Sequence, residues 1–475
     1  MNKKITLLLL SLCSLTTFAQ STTPLDKFVN RPSLQSAGVS VYIKNLSTQE
    51  VLAAHNIKQT LAPASTQKLL TTTTALEILG PDYRFSTYIE IDGKIDEGIL
   101  YGNLYVRGTG DPTLGSQQVG YQGFLNQWVK AVRNAGIRQI TGDIVADVSF
   151  FDGDAINPRW IWEDIGNYYA PGIYALPYLD NTLNIQLRSR AVGTVAEVVK
   201  TLPYIDGIEF ENHIRCTEIT YDGAFVHGLP YQNRRYLVGS IPSNQGIFGV
   251  KGDIPNPPLL LITHFKQHLQ AANITIDGTE RVMTESTFPQ RELIYEYQSE
   301  PLIKILKEVN QNSNNLYAEQ VFRLLASKIA VPCTINNASL IVRSCWRNRG
   351  VNLNQCFIED GSGLSPQDGL TAEALVQLLQ FMNKSTQRQN FISTLPVAGQ
   401  SGTLRGFLAG TPLQGKVCAK SGTTSKIKSY AGYITMPNSE VIAFAVIVNN
   451  ATTKSRNVQS LIEQLLLEIY KQETR

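Results

Sequence analysis

The sequence predicts an α+β fold: one antiparallel sheet with helices on both faces, interrupted by a large β-rich insertion. Three observations carry this reading. Alternating apolar residues near the start (Val39, Val41, Ile43) are matched by strand-like runs near the end, Tyr430 to Met436 and Val441 to Val448. Helix-like runs follow the first strands and dominate again from Glu300 onward. Between about Phe85 and Thr287 the texture changes to short alternating segments punctuated by Gly, Asp, Asn and Pro.

Taken in order, Val39 to Asn56 reads as two strands around an Asn45-Leu46-Ser47 turn. Ser65 to Leu79 reads as a helix stopped by Gly80-Pro81, with Leu69, Leu70, Leu76 and Leu79 as its buried stripe. Strands are expected at Thr87 to Ile91, Leu104 to Arg107, Ile140 to Val145, Leu183 to Leu187 and Val195 to Lys200. Asn256 to Ala272 reads as a helix, and Ile274 to Gly278 as a strand. Helices follow at Leu302 to Val309 and Leu316 to Ala330, around a polar connection from Asn310 to Asn315. Another starts after Gly369-Leu370-Thr371 and runs through Met382. The chain closes on Val458, Leu461, Ile462, Leu465, Leu466 and Ile469, the spacing of one helix face. Pairing the early strands with the late ones gives one domain, residues 20–86 and 288–475, with 87–287 inserted as two β-rich subdomains.

The 475 residues are too many for one ordinary core. With 43% hydrophobic and 17% charged residues the chain reads as globular. A net charge of +3, without a basic run, argues against nucleic acid and is compatible with peripheral contact at an anionic surface. Lys3 and Lys4, an apolar stretch from Ile5 to Leu15, and Thr17-Phe18-Ala19 read as a signal peptide over residues 1–19, too short for a membrane span. The expectation is export to the periplasm. Leu12 before Cys13 is larger than a lipid-attachment motif permits, which argues against an anchor there. Cys216, Cys333, Cys345, Cys356 and Cys418 then remain, an odd set with at least one unpaired thiol, and Cys345 with Cys356 is one conceivable pair.

Three short motifs carry chemistry. In Ser65-Thr66-Gln67-Lys68 the lysine falls one turn after the serine, on the same helix face. A serine hydroxyl is a weak nucleophile until a neighbour takes its proton, and a desolvated lysine can do so. Alone, the motif reads better as a capping serine with an exposed lysine, and Ser425 with Lys428 repeats the spacing. Ser313-Asn314-Asn315 alone suits a helix cap. Lys420-Ser421-Gly422-Thr423 alone suits a turn, although its glycine would let a ligand approach a strand closely.

In this order the three motifs resemble those of penicillin-binding proteins and serine β-lactamases. The chain between Ser65 and Ser313 is far too long for a simple β-lactamase. It looks like the class C low-molecular-mass penicillin-binding proteins, the D-alanyl-D-alanine carboxypeptidase/endopeptidase family, whose insertion lies between the first two motifs. Leu104 to Gly108 with Gly110-Asp111-Pro112, Tyr169-Ala170-Pro171, Asp360 to Ser365 and Gly399 to Gly406 are similar too. Ser421 stands where threonine is commoner. The resemblance implies a serine β-lactamase/transpeptidase-like domain. It implies that Ser65 attacks the carbonyl between two D-alanines and that Lys68, kept partly neutral by the charge of Lys420, accepts its proton. Ser313 relays a proton to the leaving amine, and Asn315 holds the substrate amide. The N–H groups of Ser65 and Thr423 form the oxyanion hole. Lys420, Ser421 and Thr423, with Gly422 between them, bind the terminal carboxylate. Asp164 and Tyr169 are the candidates for contact with the distal stem peptide. Peptidoglycan stem peptides are the expected substrate and β-lactams the expected covalent inhibitors.

Other signals are weaker. Gly410 to Lys416 approaches a phosphate-binding loop, but Val417 stands where a magnesium-binding hydroxyl is required. His264 and His268 are four apart without a glutamate after the first, and no Cys-x-x-Cys occurs, so no metal or cofactor is expected. Two alternatives stay open. One is a non-catalytic protein that binds stem peptides or senses β-lactams. The other is a β-lactamase-like hydrolase, which rapid penicillin turnover would reveal.

Overall fold

The computed structural model describes residues 23–285 and 290–474. The signal-peptide reading and Cys13 lie outside the described residues. Among the described residues no helix is long and apolar enough to cross a membrane.

The early and late strands do share one sheet. Its order is Val417–Thr423, Ile427–Thr435, Val441–Asn449, Gly38–Asn45 and Val51–His55, all antiparallel. The fold class expected from the sequence is therefore the one observed. Alternation along Val441–Asn449 sorts the two faces. Ala443, Ala445 and Ile447 pack with the helix Ala372–Lys384 side of the core. Ile442, Phe444, Val446 and Val448 pack with Val458, Ile462, Leu465, Leu466 and Ile469 of the last helix, Ser455–Glu473. The early turn is held by the Asn45 carboxamide, whose Oδ1 accepts from the Ser47 and Thr48 amides at 2.9 and 3.2 Å.

Four further sheets are built from strands between Ser86 and Gln298. The strand Glu292–Gln298 lies past residue 287 yet pairs antiparallel with Ser86–Ile91, so this sheet includes chain from both sides of that boundary. Several elements differ from expectation. Ile140 to Val145 is two strands, Gln139–Ile140 and Ile144–Asp147, because Thr141-Gly142-Asp143 turns the chain between sheets. Ile274 to Gly278 shortens to Thr275–Ile276. The inserted stretch also holds the helix Phe124–Asn134, which packs on Pro257–Ala271 with Trp128 edge-on to Phe265 at 5.4 Å. The helix Ile335–Arg347, capped by Thr334, was likewise not expected.

Cys216, Cys333, Cys345, Cys356 and Cys418 are free thiols, so Cys345 and Cys356 are not joined. Both are buried, and burial pushes the Cys345 thiol up to about 11, where it stays protonated and inert.

Candidate active site

Ser65 occupies a short 3-10 turn, Ala64–Gln67, that runs directly into the helix Lys68–Leu79. Neither element is capped by a side-chain hydrogen bond, so the Ser65 hydroxyl is not consumed as a cap. Ala64, just before it, has φ +47, a conformation that costs about 1–2 kcal/mol for a residue with a Cβ. Packing holds it there. Gly363, at φ +77, lies against Ala64, and any Cβ on it would meet the Ala64 carbonyl oxygen. Ser429 Oγ and Thr66 Oγ1 both donate to the Pro63 carbonyl, at 2.6 and 2.8 Å. The turn is thus tied to the sheet strand beside it.

Lys68 is fully buried rather than exposed. Its Nζ lies 2.9 Å from Ser65 Oγ, 2.6 Å from Asn315 Oδ1 and 2.7 Å from the Ser362 carbonyl oxygen. Asn315 is the first residue of the helix Asn315–Leu325. The neighbouring Asn314 caps that helix, accepting from the Tyr317 amide at 3.1 Å, which leaves Ser313 and Asn315 free of capping duty. Ser313 itself has φ +60. Asn315 Nδ2 donates to the Tyr169 carbonyl at 2.8 Å, so a backbone oxygen of the inserted region orients the amide. One Nδ2 hydrogen remains for a substrate.

Lys420, in the strand Val417–Thr423, is also fully buried and donates to Ser313 Oγ at 2.9 Å and to the Ser421 carbonyl at 2.7 Å. Ser421 Oγ hydrogen bonds Thr403 Oγ1 at 2.8 Å. Gly422 matters differently than expected. What its missing side chain admits is the nucleophile's own turn: a Cβ would meet Ser429 Oγ, the Pro63 carbonyl at 2.6 Å and the Ser65 amide at 3.0 Å. Thus Ser65, Lys68 and Asn315 form one hydrogen-bonded group, with Lys420 and Ser313 beside it, although the segments are distant along the chain.

Burial brings the Lys68 ammonium down to about 8, against the opposing pull of Asp360, Glu319 and Asp368. Burial is the leading cause of this shift. Lys420 is also pushed well below the ordinary lysine range, by burial first and by the like charge of Lys68 second, a repulsion the two ammonium groups share.

Sequence reasoning assigned no role to the ground beneath Lys68. The loop Asp360 to Ser365 is organised by the Asp360 carboxylate, which accepts from the Ser362, Gly363 and Ser365 amides at 3.0, 2.5 and 2.7 Å. Its Oδ2 also accepts from Trp160 Nε1 at 2.9 Å. Glu319 Oε1 accepts from the Gly361 amide at 3.0 Å, and Thr71 Oγ1 donates to the Gly361 carbonyl at 2.6 Å. The Gly361-Ser362-Gly363 run was the available signal, since paired glycines mark close backbone approach.

The Asp164 and Tyr169 candidates touch each other, the Tyr169 hydroxyl donating to Asp164 Oδ1 at 3.0 Å. Tyr169 lines a cleft of about 790 Å³ with Ser313, Asn315, Tyr168, Leu202 and Lys251. Asp164 reaches that cleft only through the Tyr169 hydroxyl, and burial raises its carboxyl above the usual range.

Fold and pocket together define a class: a serine peptidase of the penicillin-binding kind, with a buried lysine on the serine and a second lysine on the neighbouring strand. Residues 21–469 match the model of the D-Ala-D-Ala carboxypeptidase 3 (S13) family, and the chain belongs to that family. It is 27% identical to D-alanyl-D-alanine carboxypeptidase DacB of Haemophilus influenzae over 88% of this chain and 87% of that one. It is also 27% identical to a D-alanyl-D-alanine carboxypeptidase of an Actinomadura species over 90% of this chain and 80% of that one. The fold is that of the crystal structure of penicillin binding protein 4 from Haemophilus influenzae, with a TM-score of 0.82 and 24% identity over 95% of this chain and 99% of that one.

Proposed function

We propose that the chain is a serine D,D-peptidase that cleaves the terminal D-Ala-D-Ala bond of peptidoglycan stem peptides through an acyl-enzyme on Ser65, and that penicillin acylates the same oxygen. The hydrogen-bond valence of Lys68 carries this reading. A neutral amine has two hydrogens and one lone pair. The Asn315 and Ser362 carbonyl oxygens take both hydrogens, at 2.6 and 2.7 Å. The lone pair is left for the Ser65 hydroxyl, 2.9 Å away.

Ser65 Oγ attacks the carbonyl carbon as its proton passes to Lys68 Nζ. The amides of Ser65 and Thr423 stabilise the developing oxyanion. The proton returns through Ser313, which Lys420 orients, to the leaving amine of the terminal D-alanine. The C–N bond breaks, and water hydrolyses the ester to regenerate the serine. Asn315, Ser421 and Thr423 hold the substrate, and Asp164 with Tyr169 meets its distal part. Cleavage of peptide cross-links by the same chemistry, export to the periplasm, and a division into a catalytic domain and an inserted region that frames its cleft belong to the same reading.

Labelled penicillin followed by peptide mapping tests it. A covalent adduct on Ser65 that decays slowly is expected. An unmodified Ser65 would point to a protein that binds stem peptides without turnover.

A further inference from the structure

The lysine of the second Ser-x-x-Lys spacing, Lys428, does not pair with Ser425 in a nucleophilic arrangement. It lies in the strand Ile427–Thr435, directly across from Thr423 at the end of the Lys420-Ser421-Gly422-Thr423 strand. Its Nζ donates to Thr423 Oγ1 at 3.0 Å and stands 5.4 Å over the Tyr430 ring. Among the described residues its ammonium makes no ion pair. Burial lowers its pKa from the ordinary lysine value, opposed by Glu463, whose Oε1 already accepts from the Leu408 amide at 3.1 Å and Gln459 Nε2 at 3.0 Å.

Hydrogen-bond directions give this placement its meaning. Thr423 and Ser421 are two apart on one strand, so their side chains share a face. Lys428 occupies an acceptor position of Thr423 Oγ1, which leaves the threonine O–H free to donate outward. Ser421 Oγ donates to Thr403 Oγ1, so the Thr403 hydroxyl beside it keeps a hydrogen to donate. The face therefore offers two hydroxyl donors beside an ammonium with hydrogens to spare. A carboxylate accepts from several donors and needs a compensating charge. Lys420 is poorly placed to supply it, being buried and bonded to Ser313 Oγ and the Ser421 carbonyl.

We propose that Lys428 is a specificity-determining residue whose ammonium, seated on Thr423, meets the free α-carboxylate of the substrate's terminal D-alanine and the ring carboxylate of β-lactams. This rests on the reading of the site as a D,D-peptidase. It adds that discrimination between a free chain end and a blocked one resides in a residue outside the three motifs.

The test compares a peptide ending in D-Ala-D-Ala with the same peptide ending in the C-terminal amide, for the wild type, Lys428→Met and Lys428→Arg. Wild type should prefer the free acid. Lys428→Met should cut the ratio of kcat/KM values, acid over amide, about tenfold, mostly through KM, and Lys428→Arg should restore most of it. Acylation by penicillin and by its methyl ester should show the same loss of preference. A ratio unchanged in Lys428→Met, or a loss that Lys428→Arg does not restore, overturns the proposal. If wild type cleaved neither peptide, releasing neither D-alanine nor D-alaninamide, the peptidase reading would fail instead.

Discussion

The Trp160 indole N–H donates to the Asp360 carboxylate at 2.9 Å, and this contact, with the Ser365 hydroxyl on the Arg159 carbonyl at 3.2 Å, joins the inserted stretch to the loop that supports Lys68. Asp360 gathers the amides around Ser362, and the Ser362 carbonyl then receives Lys68 Nζ at 2.7 Å. A residue far from the motifs thus helps set where the amine points. Trp160→Phe keeps most of the packing and leaves a buried carboxylate oxygen short of one donor. It should lower stability by about 1–3 kcal/mol, read by urea denaturation, and should also lower kcat for D-alanine release.

The pH profile follows from Lys68. Only the neutral amine can take the Ser65 proton, and burial brings its pKa to about 8. The neutral fraction grows as pH rises, so kcat/KM should climb with pH and level off above about 8. Lys68→Arg places a permanent cation there and should cost on the order of a thousandfold in kcat/KM. A flat profile across neutral pH would contradict the assignment of Lys68 as base.

Glu319 makes an opposite demand. It is fully buried, and burial with the nearby Asp360 charge raises its carboxyl to about 8. A folded pKa above the unfolded value means stability that is complete below the ordinary glutamic acid range and lost as pH rises through the folded value. Glu319→Gln keeps an acceptor for the Gly361 amide and cannot ionise. Its melting temperature should match wild type at about pH 4 and exceed it at about pH 9.

Gly422→Ala tests the close approach of strand and nucleophile. Its Cβ would meet the Pro63 carbonyl at 2.6 Å and the Ser65 amide at 3.0 Å. The turn must shift away from the strand, which should cost about a hundredfold in kcat, because catalytic groups tolerate little displacement. Penicillin acylation should slow in parallel.

Much of this was legible in the sequence. Alternation and helical spacing placed the sheet and the last helix. Ser65, Lys68, Ser313, Asn315 and Lys420 stood out because each belongs to a short motif whose spacing reflects one turn or one strand. The carbonyl oxygens of Ser362 and Tyr169 did not, since a backbone atom leaves no mark on residue identity. The source of the Lys68 shift was likewise hidden, because burial is a property of the packed molecule. The helix Phe124–Asn134 was readable in principle: Phe124, Leu125, Trp128, Val129 and Val132 follow helical spacing and are buried. The surrounding turn residues drew attention to strands instead.

The central claim is that Ser65 bears the acyl group during turnover. Purified muropeptides incubated with wild type and with Ser65→Ala, and assayed for free D-alanine, test it most directly. Release by wild type and none by Ser65→Ala is predicted. Equal release by both proteins would place the nucleophile elsewhere.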